Sequence, residues 1–100
     1  MKTRRMNVKK VLRKIEKNKE EIKRLGVKKL GLFGSVLKGK EKKKSDIDFL
    51  IEFEDINADK FFSLISLLEK IFNRKVDLVD SRNLRPELEY VKDEAEYVKI

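Results

Sequence analysis

Three aspartates occupy positions where carboxylates could bind metal ions. Asp46 and Asp48 begin a run in which apolar and other residues alternate up to Phe53, and Asp77 interrupts a second apolar segment. Alternate side chains of a β-strand share one face, so the first two would lie about 6.5–7 Å apart along the strand. Carboxylates at that spacing can converge on a pair of ions about 3.5–4 Å apart. Because aspartate is depleted in strands, a metal site is a reasonable interpretation, with a solvated strand end or edge as the alternative.

A glycine–serine pair precedes the aspartates. Gly34 and Ser35 directly follow an apolar segment, and a glycine there allows the backbone to approach a ligand closely. If a short helix begins at Ser35, its free N–H groups and the serine hydroxyl would form a cradle for a phosphate group. Taken alone, the pair is also typical of an ordinary turn.

The chain of 100 residues contains neither cysteine nor histidine. Their absence excludes disulfides, thiolate zinc sites, cysteine nucleophiles and the usual general base at neutral pH. The remaining groups for chemistry are carboxylates, hydroxyls and lysines. A hard cation with oxygen ligands, such as magnesium, suits these groups better than zinc does.

The formal net charge of +8 has two interpretations. It could attract an anionic partner, or it could reflect the lysine- and glutamate-rich surface typical of hyperthermophile proteins. The second accounts for most of the charge, so net charge alone does not predict direct nucleic-acid binding. No apolar stretch approaches the roughly 20 residues of a membrane span, and residues 1–10 do not resemble a signal peptide. We therefore expect one cytoplasmic domain over residues 1–100, without a membrane partner.

The elements that would position these residues follow from the spacing of apolar side chains. The spacing predicts helices over residues 8–25, 58–72 and 86–95, and strands over 27–33, 46–53 and 75–79. Gly26 would end the first helix, and residues 97–100 would form a tail that could be extended. The order predicts an α/β (α+β) fold with a small mixed sheet of about three strands flanked by helices.

The spacing of these motifs resembles a known signature. Gly34-Ser35, then ten residues, then Asp46-x-Asp48 is similar to the signature of the polymerase β-type nucleotidyltransferases. Residues 32–52 resemble the minimal nucleotidyltransferases, small proteins encoded beside HEPN-domain toxins in archaea and bacteria. The segment around Asp77 resembles the strand that carries the third carboxylate of the family. The resemblance covers roughly residues 20–98 and implies the polymerase β-like fold.

The resemblance implies transfer of AMP from ATP with two Mg²⁺ ions. It assigns catalysis and metal binding to three carboxylates, those of Asp46, Asp48 and Asp77, the last of which could also deprotonate the attacking hydroxyl. It assigns phosphate binding to Gly34, Ser35 and Lys38. Lys38 stands where family members often have arginine, and lysine lacks the planar fork for bidentate phosphate contacts. We therefore expect retained activity with altered nucleotide affinity.

The resemblance further implies an antitoxin that adenylylates a tyrosine of a HEPN ribonuclease toxin encoded by the adjacent gene. We expect a hetero-oligomer with that toxin, with the helix over 58–72 or the tail at Tyr97 serving the interface. Two alternatives stay open. The protein could modify an RNA end or a small molecule, or it could mask the toxin by binding alone.

Overall fold

A four-stranded mixed sheet forms the centre of the fold. The computed structural model describes residues 8–34, 46–55 and 57–100. The helices are α1 (Val8–Lys17), α2 (Lys19–Arg24), α3 (Ala58–Phe72) and α4 (Val91–Glu94), and the strands are β1 (Val27–Phe33), β2 (Ile47–Phe53), β3 (Val76–Asp80) and β4 (Glu96–Lys99). Two short 3₁₀-helices, Ser81–Asn83 and Pro86–Leu88, lie between β3 and α4.

The strands lie in the order β3-β2-β1-β4. β1 pairs antiparallel with both β2 and β4, whereas β2 and β3 are parallel and are connected through α3. This arrangement confirms the predicted mixed sheet flanked by helices. The prediction of about three strands becomes four because residues 96–99 of the expected tail pair with β1.

Helices α1, α2 and α3 cover one face of the sheet. Their apolar side chains pack on the alternate strand residues that point to that face, as period-two geometry requires. The buried residues shared by helices and strands include Val11, Ile15, Ile22, Leu64, Leu68 and Phe72, which meet Leu30, Leu32, Ile47, Phe49, Ile51 and Leu78. Among the described residues, no helix has both the length and the apolar character needed to cross a membrane.

The predicted bounds of α3 are confirmed, and both ends have a local cause. Asn57 precedes the helix, and its side chain accepts a hydrogen bond from the backbone N–H of Lys60 at 2.9 Å. This contact satisfies one of the N–H groups that the first turn leaves without a partner. At the other end Asn73 adopts a left-handed conformation with φ of 53°, which ends the helix before β3.

The prediction of one helix over residues 8–25 was wrong, because the helix is divided at Asn18. The amide nitrogen Nδ2 of Asn18 donates to the carbonyl oxygen of Lys14 at 2.8 Å. A side chain that binds the backbone in this way competes with the regular helical hydrogen bonds. Ile15 and Ile22 nevertheless both remain in the core, which is why the apolar spacing suggested a continuous helix. Gly26 follows α2 with φ of 89° and ends it as predicted.

The predicted helix over residues 86–95 was also wrong, since it consists of a 3₁₀-turn and the single turn of α4. Leu88 and Tyr90 are exposed, so only Val91 and Ala95 anchor the segment to the sheet. These two residues are four apart and can hold only about one helical turn. They pack with the fully buried Leu50 in a second, smaller cluster on the face opposite α1–α3. The sheet is therefore covered on both faces, in part, by apolar side chains.

Candidate active site

Asp48 and Asp77 lie side by side on the parallel strands β2 and β3. The strand register pairs them directly, and neighbouring strands are about 4.8 Å apart. The next residues along each strand, Phe49 and Leu78, are buried beneath the helices. Alternation therefore directs both carboxylates to the opposite face. Asp48 is half-buried and Asp77 is exposed.

Asp46 lies immediately before β2 and is exposed. Its position two residues before Asp48 places it on the same side of the strand. Within the described ranges, no three acidic side chains stand close enough together to hold a metal ion as they are oriented. The fold thus pairs Asp48 with Asp77, and the convergence of all three carboxylates remains a prediction. Because Asp46 is exposed, its side chain can turn toward the other two carboxylates by changing between staggered rotamers.

Gly34 follows β1 and lies against the Asp48 side chain. The register pairs Phe33, the residue before it, with Asp48. A Cβ atom added at Gly34 would overlap the Asp48 carboxylate and would lie 2.9 Å from its Cγ. Gly34 also has φ of 80°, which L side chains rarely adopt. Both the conformation and the close approach therefore require glycine at this position.

Ser35 and Lys38, the other predicted phosphate-binding residues, lie outside the described residues. Their roles remain predictions from the sequence. What the structure adds is that the backbone immediately before Ser35 is in contact with an aspartate of the predicted site.

Two hydrogen bonds fix the starts of the strands that carry the carboxylates. The backbone N–H of Ile47 donates to the carbonyl oxygen of Lys75 at 3.0 Å. The N–H of Val76 donates to Oε2 of Glu69, a residue of α3, at 3.1 Å. Together they join the beginning of β3 to β2 and to the helix behind it. The relative position of Asp48 and Asp77 is therefore determined by the backbone and by α3.

Lys75 is a candidate site residue that the sequence reasoning missed. It precedes Val76, which pairs with Ile47, and so it lies beside Asp46 at the start of the two strands. Lys75 is exposed, and in the described part of the chain it forms no ion pair with Asp46. The available signal was its position two residues before Asp77, which puts both side chains on one strand face.

Tyr97 lies on the same face of the sheet but packs against the fold. Its ring atoms would lie 2.8 Å from a Cβ atom added at Gly31, and its hydroxyl donates to the carbonyl oxygen of Lys92 at 3.2 Å. Burial raises the pKa of the Tyr97 phenol, and the nearby Glu52 carboxylate raises it further. Tyr97 is thus a neutral phenol at neutral pH, and its ring packs against Gly31 on this face of the sheet.

The electrostatic character of this end of β2 suits a cation. Asp46 and Asp48 lie at this end, and Asp77 stands opposite Asp48 on the neighbouring strand. The side chains that the fold brings together there offer oxygen ligands of the kind magnesium prefers. Such a site, with a glycine backbone against one carboxylate, can bind a cation–phosphate complex.

Comparison with known proteins relates this geometry to a family. A family model described as polymerase beta, nucleotidyltransferase matches residues 9–94. The protein adenylyltransferase MntA of Thermococcus cleftensis is 41% identical over 68 residues, which cover 67% of this chain and 69% of that protein. The match to the family model therefore extends over the two strands that carry the aspartates and the elements around them.

Solved structures show the same fold. The structure of a candidate minimal nucleotidyltransferase superposes with a TM-score of 0.79 at 30% identity, covering 94% of this chain and 98% of that one. A chain from the crystal structure of a toxin–antitoxin complex with AMP-PNP superposes with a TM-score of 0.67 at 25% identity, covering 86% and 70%.

Proposed function

Because this chain belongs to the polymerase β nucleotidyltransferase family, we propose that it is a magnesium-dependent protein adenylyltransferase. It transfers AMP from ATP to a tyrosine hydroxyl of a HEPN ribonuclease toxin encoded by the adjacent gene. In this role it is a cytoplasmic antitoxin that forms a hetero-oligomer with the toxin. The observation that carries the proposal is the direct pairing of Asp48 with Asp77 beside the backbone of Gly34.

Two relatives support the choice of reaction. The Thermococcus cleftensis relative is named a protein adenylyltransferase. The toxin–antitoxin structure with the same fold contains AMP-PNP, an analogue of ATP. A nucleotide substrate and a toxin partner are therefore the natural proposals for this nucleotidyltransferase.

The residues present fit magnesium. The donors are aspartate oxygens, and the chain offers neither histidine nor cysteine as a competing ligand. Asp46, Asp48 and Asp77 would hold the ions. Bound magnesium would stabilise charge on the attacking and leaving oxygens of the displacement.

The side chains then have separate tasks. The Gly34 backbone, the Ser35 hydroxyl and Lys38 would hold the β- and γ-phosphates. Lys75, which lies beside Asp46, would contribute a further positive charge toward the triphosphate. Holding the nucleotide in one orientation lowers the barrier of the transfer step, because the entropy cost of aligning the reactants is already met when the nucleotide binds.

The transfer step is a single displacement at the α-phosphorus. The tyrosine oxygen forms a bond to this phosphorus while the bond to the oxygen that bridges the α- and β-phosphorus atoms breaks, and pyrophosphate leaves with that oxygen. The proton of the tyrosine hydroxyl passes to the Asp77 carboxylate, which is the exposed member of the pair. The products are AMP-tyrosine and pyrophosphate.

The exposed face of α3 is the proposed contact surface for the toxin. Phe62 is 64% exposed, although it is a large apolar side chain in the second turn of α3. Its ring meets that of Phe61 edge to face at 5.8 Å. Exposed aromatic side chains of this kind are common anchors of protein interfaces. Tyr97, the other residue considered for this role, is partly buried against Gly31.

The test uses the full chain, Mg²⁺, ATP labelled at the α-phosphate and the HEPN protein encoded next to it. The expected result is label on a toxin tyrosine, identified by mass spectrometry, and release of pyrophosphate. Asp46→Ala should abolish labelling. Glu20→Ala, which removes an exposed carboxylate of α2, should leave it unchanged.

Other outcomes would identify the alternatives. Toxin inhibition that persists in Asp46→Ala without any label would indicate masking by binding. Label on RNA or on a small molecule, with none on the toxin, would replace the protein substrate. Equal loss of labelling in both variants would contradict the assignment of Asp46.

A further inference from the structure

The charges of the described residues are distributed unevenly over the fold. Residues 8–34, which form α1, α2 and β1, contain ten Lys or Arg and three Asp or Glu, for a net charge of +7. Residues 46–55 and 57–100 contain eight basic and fourteen acidic residues, for a net charge of −6. A generally lysine-rich surface would not separate the two signs in this way. We call the region of α1, α2 and β1 the basic side of the molecule. Its positive charge is not explained by the overall composition of the chain.

A cavity of about 490 Å³ lies on this basic side. Four lysines from three elements line it: Lys19 and Lys23 of α2, Lys28 of β1 and Lys99 of β4. One acidic residue, Glu54, also lines it. We call this feature the lysine cavity. These lysines are distant in sequence and come together only in the folded chain, which indicates a site formed by the fold.

The positive charges of the lysine cavity are poorly compensated. The ion pair between Lys19 and Glu16 is long, at 4.0 Å, and solvent-exposed, so it contributes little. Lys23, Lys28 and Lys99 are exposed and form no ion pair within the described ranges.

The sheet adds a further unfavourable contact at the lysine cavity. Lys99 stands directly opposite Lys29 on the neighbouring strand, an arrangement that is unfavourable for like charges. Lys29 also faces Glu52 on β2 and lies over the Tyr97 ring at 4.9 Å, so it is the charge of Lys99 that a bound anion would compensate.

The lysine cavity is separate from the candidate active site. It lies where β1 begins and β2 ends, since Val27 pairs with Phe53. Asp48 lies near the other end of β2, six residues before Glu54. At about 3.3 Å per residue, the two sites are roughly 20 Å apart. A ligand in the cavity would therefore not occupy the nucleotide site.

We propose that the lysine cavity and α1 bind the phosphate backbone of a single-stranded nucleic acid. The exposed side of α1 extends the positive charge beyond the cavity, with five basic residues over about 15 Å of helix: Lys9, Lys10, Arg13, Lys14 and Lys17. α1 contacts both α2 and β4, which carry three of the cavity lysines. The lysine cavity and the exposed side of α1 thus form one continuous basic surface, which we call the basic track.

The shape and chemistry of the track favour a polynucleotide over an acidic protein segment. A nucleic acid carries one phosphate on every nucleotide, whereas a protein would have to place carboxylates at matching intervals. Eight of the nine cations of the cavity and of α1 are lysines, and lysine acts as a point charge that contacts phosphate without reading bases. Ile100, which is partly exposed, gives the cavity an apolar side chain against which a base can lie.

The probe is a fluorescein-labelled oligouridylate of 12 nucleotides, with binding followed by fluorescence anisotropy between 50 and 300 mM KCl. Four phosphate contacts predict a slope of log K against log salt of about −2.8, at about 0.7 per contact for single strands. The double variant Lys28→Glu/Lys99→Glu should bind at least tenfold more weakly, with a slope reduced to about −1.4. Lys60→Glu/Lys70→Glu on α3 changes the net charge equally and should alter binding less than twofold.

Several results would decide the proposal. Equal weakening by the two double variants would overturn it, because general attraction to a basic protein would then explain the binding. Tighter binding of oligoglutamate than of oligouridylate would also overturn it, in favour of an acidic protein partner. Equal affinity for oligothymidylate would support it, since the contacts are to phosphates.

Two controls keep the test independent of folding and of the proposed reaction. If the charge-reversal variant unfolds, Lys28→Gln/Lys99→Gln removes the two charges without reversing them. This variant should still reduce the slope of log K against log salt. Asp48→Asn should bind the probe as the wild type does. Loss of binding in Asp48→Asn would contradict a site separate from the aspartates.

Discussion

Replacing Gly34 with alanine tests whether the backbone beside Asp48 must be free of a side chain. Gly34 has φ of 80°, and an L residue held in the left-handed region costs about 1–2 kcal/mol. The new Cβ would also lie 2.9 Å from Cγ of Asp48. Because that distance is shorter than real Cβ atoms tolerate, the carboxylate or the backbone has to move.

Gly26→Ala is the matched control. Gly26 has φ of 89°, and a Cβ there would lie 3.3 Å from the backbone carbonyl oxygen of Asp55, at the end of β2 remote from Asp48 and Asp77. Both variants should therefore lose about 1–2 kcal/mol of stability. At about 4–8 °C per kcal/mol for a domain of this size, melting should fall by about 5–15 °C in each.

The two variants should differ in adenylyl transfer. A displacement of about 1 Å at a reacting site can cost about 100-fold in rate, so Gly34→Ala should lose that much and Gly26→Ala should not. Differential scanning calorimetry gives the melting temperatures, and initial rates of pyrophosphate release below the melting range give the activity. The reasoning is refuted if Gly34→Ala keeps a rate within about threefold of wild type while its stability falls as Gly26→Ala does.

Three further predictions concern separate parts of the fold. Lys75→Ala should raise KM for ATP by about tenfold with little change in kcat, measured by steady-state kinetics, and an unchanged KM would remove Lys75 from the site. Leu50→Ala should lower the free energy of unfolding by about 2–5 kcal/mol in urea titrations, because Leu50 is fully buried under Val91 and Ala95; a loss below about 1 kcal/mol would contradict that packing. The Tyr97 phenol should titrate above its usual pKa of 10.0, because burial and Glu52 raise the pKa. Its contribution to stability is then fully present below pH 10 and is lost as the pH rises through the higher folded-state pKa. The difference in absorbance at 295 nm between wild type and Tyr97→Phe measures this titration, and a midpoint at or below 10 would refute it.

The strands could be predicted from the sequence because their apolar residues follow period two against one buried face. β1 agrees with its predicted bounds, and β2 begins only one residue later than predicted. The fourth strand was not firmly predictable, because residues 96–99 have too few apolar positions to show a period. Tyr97 becomes part of a strand only through its contact with Gly31, which is distant in sequence.

Helix ends depended on interactions that apolar spacing does not reveal. The division of α1 from α2 arises from the Asn18 side chain, which binds a backbone carbonyl. The burial of Leu50 could not be predicted either, because Leu50 lies between Asp48 and Glu52 on a strand face that the sequence pattern indicates to be polar. Only the C-terminal segment, which folds over that face, explains it.

The shared strand face of Asp46 and Asp48 could be predicted from the sequence, whereas the geometry of the candidate site could not. Alternation placed Asp46 and Asp48 on one face, but only the parallel register brings Asp77 opposite Asp48. The same register places Lys75 beside Asp46, a pairing that the spacing within one strand cannot indicate. Ser35 and Lys38 remain predictions from the sequence.

The central claim is that the pair Asp48 and Asp77 forms the adenylyl-transfer site. The most direct test measures AMP transfer to the adjacent-gene HEPN protein by wild type, Asp48→Asn, Asp77→Asn and Glu52→Gln. Glu52 lies on the same face of β2 as Asp48, about 13 Å along the strand, and serves as the matched control. We predict that each aspartate variant loses at least about 100-fold in rate while melting like the wild type, and that Glu52→Gln retains its rate. Transfer by Asp48→Asn at the wild-type rate would contradict the account.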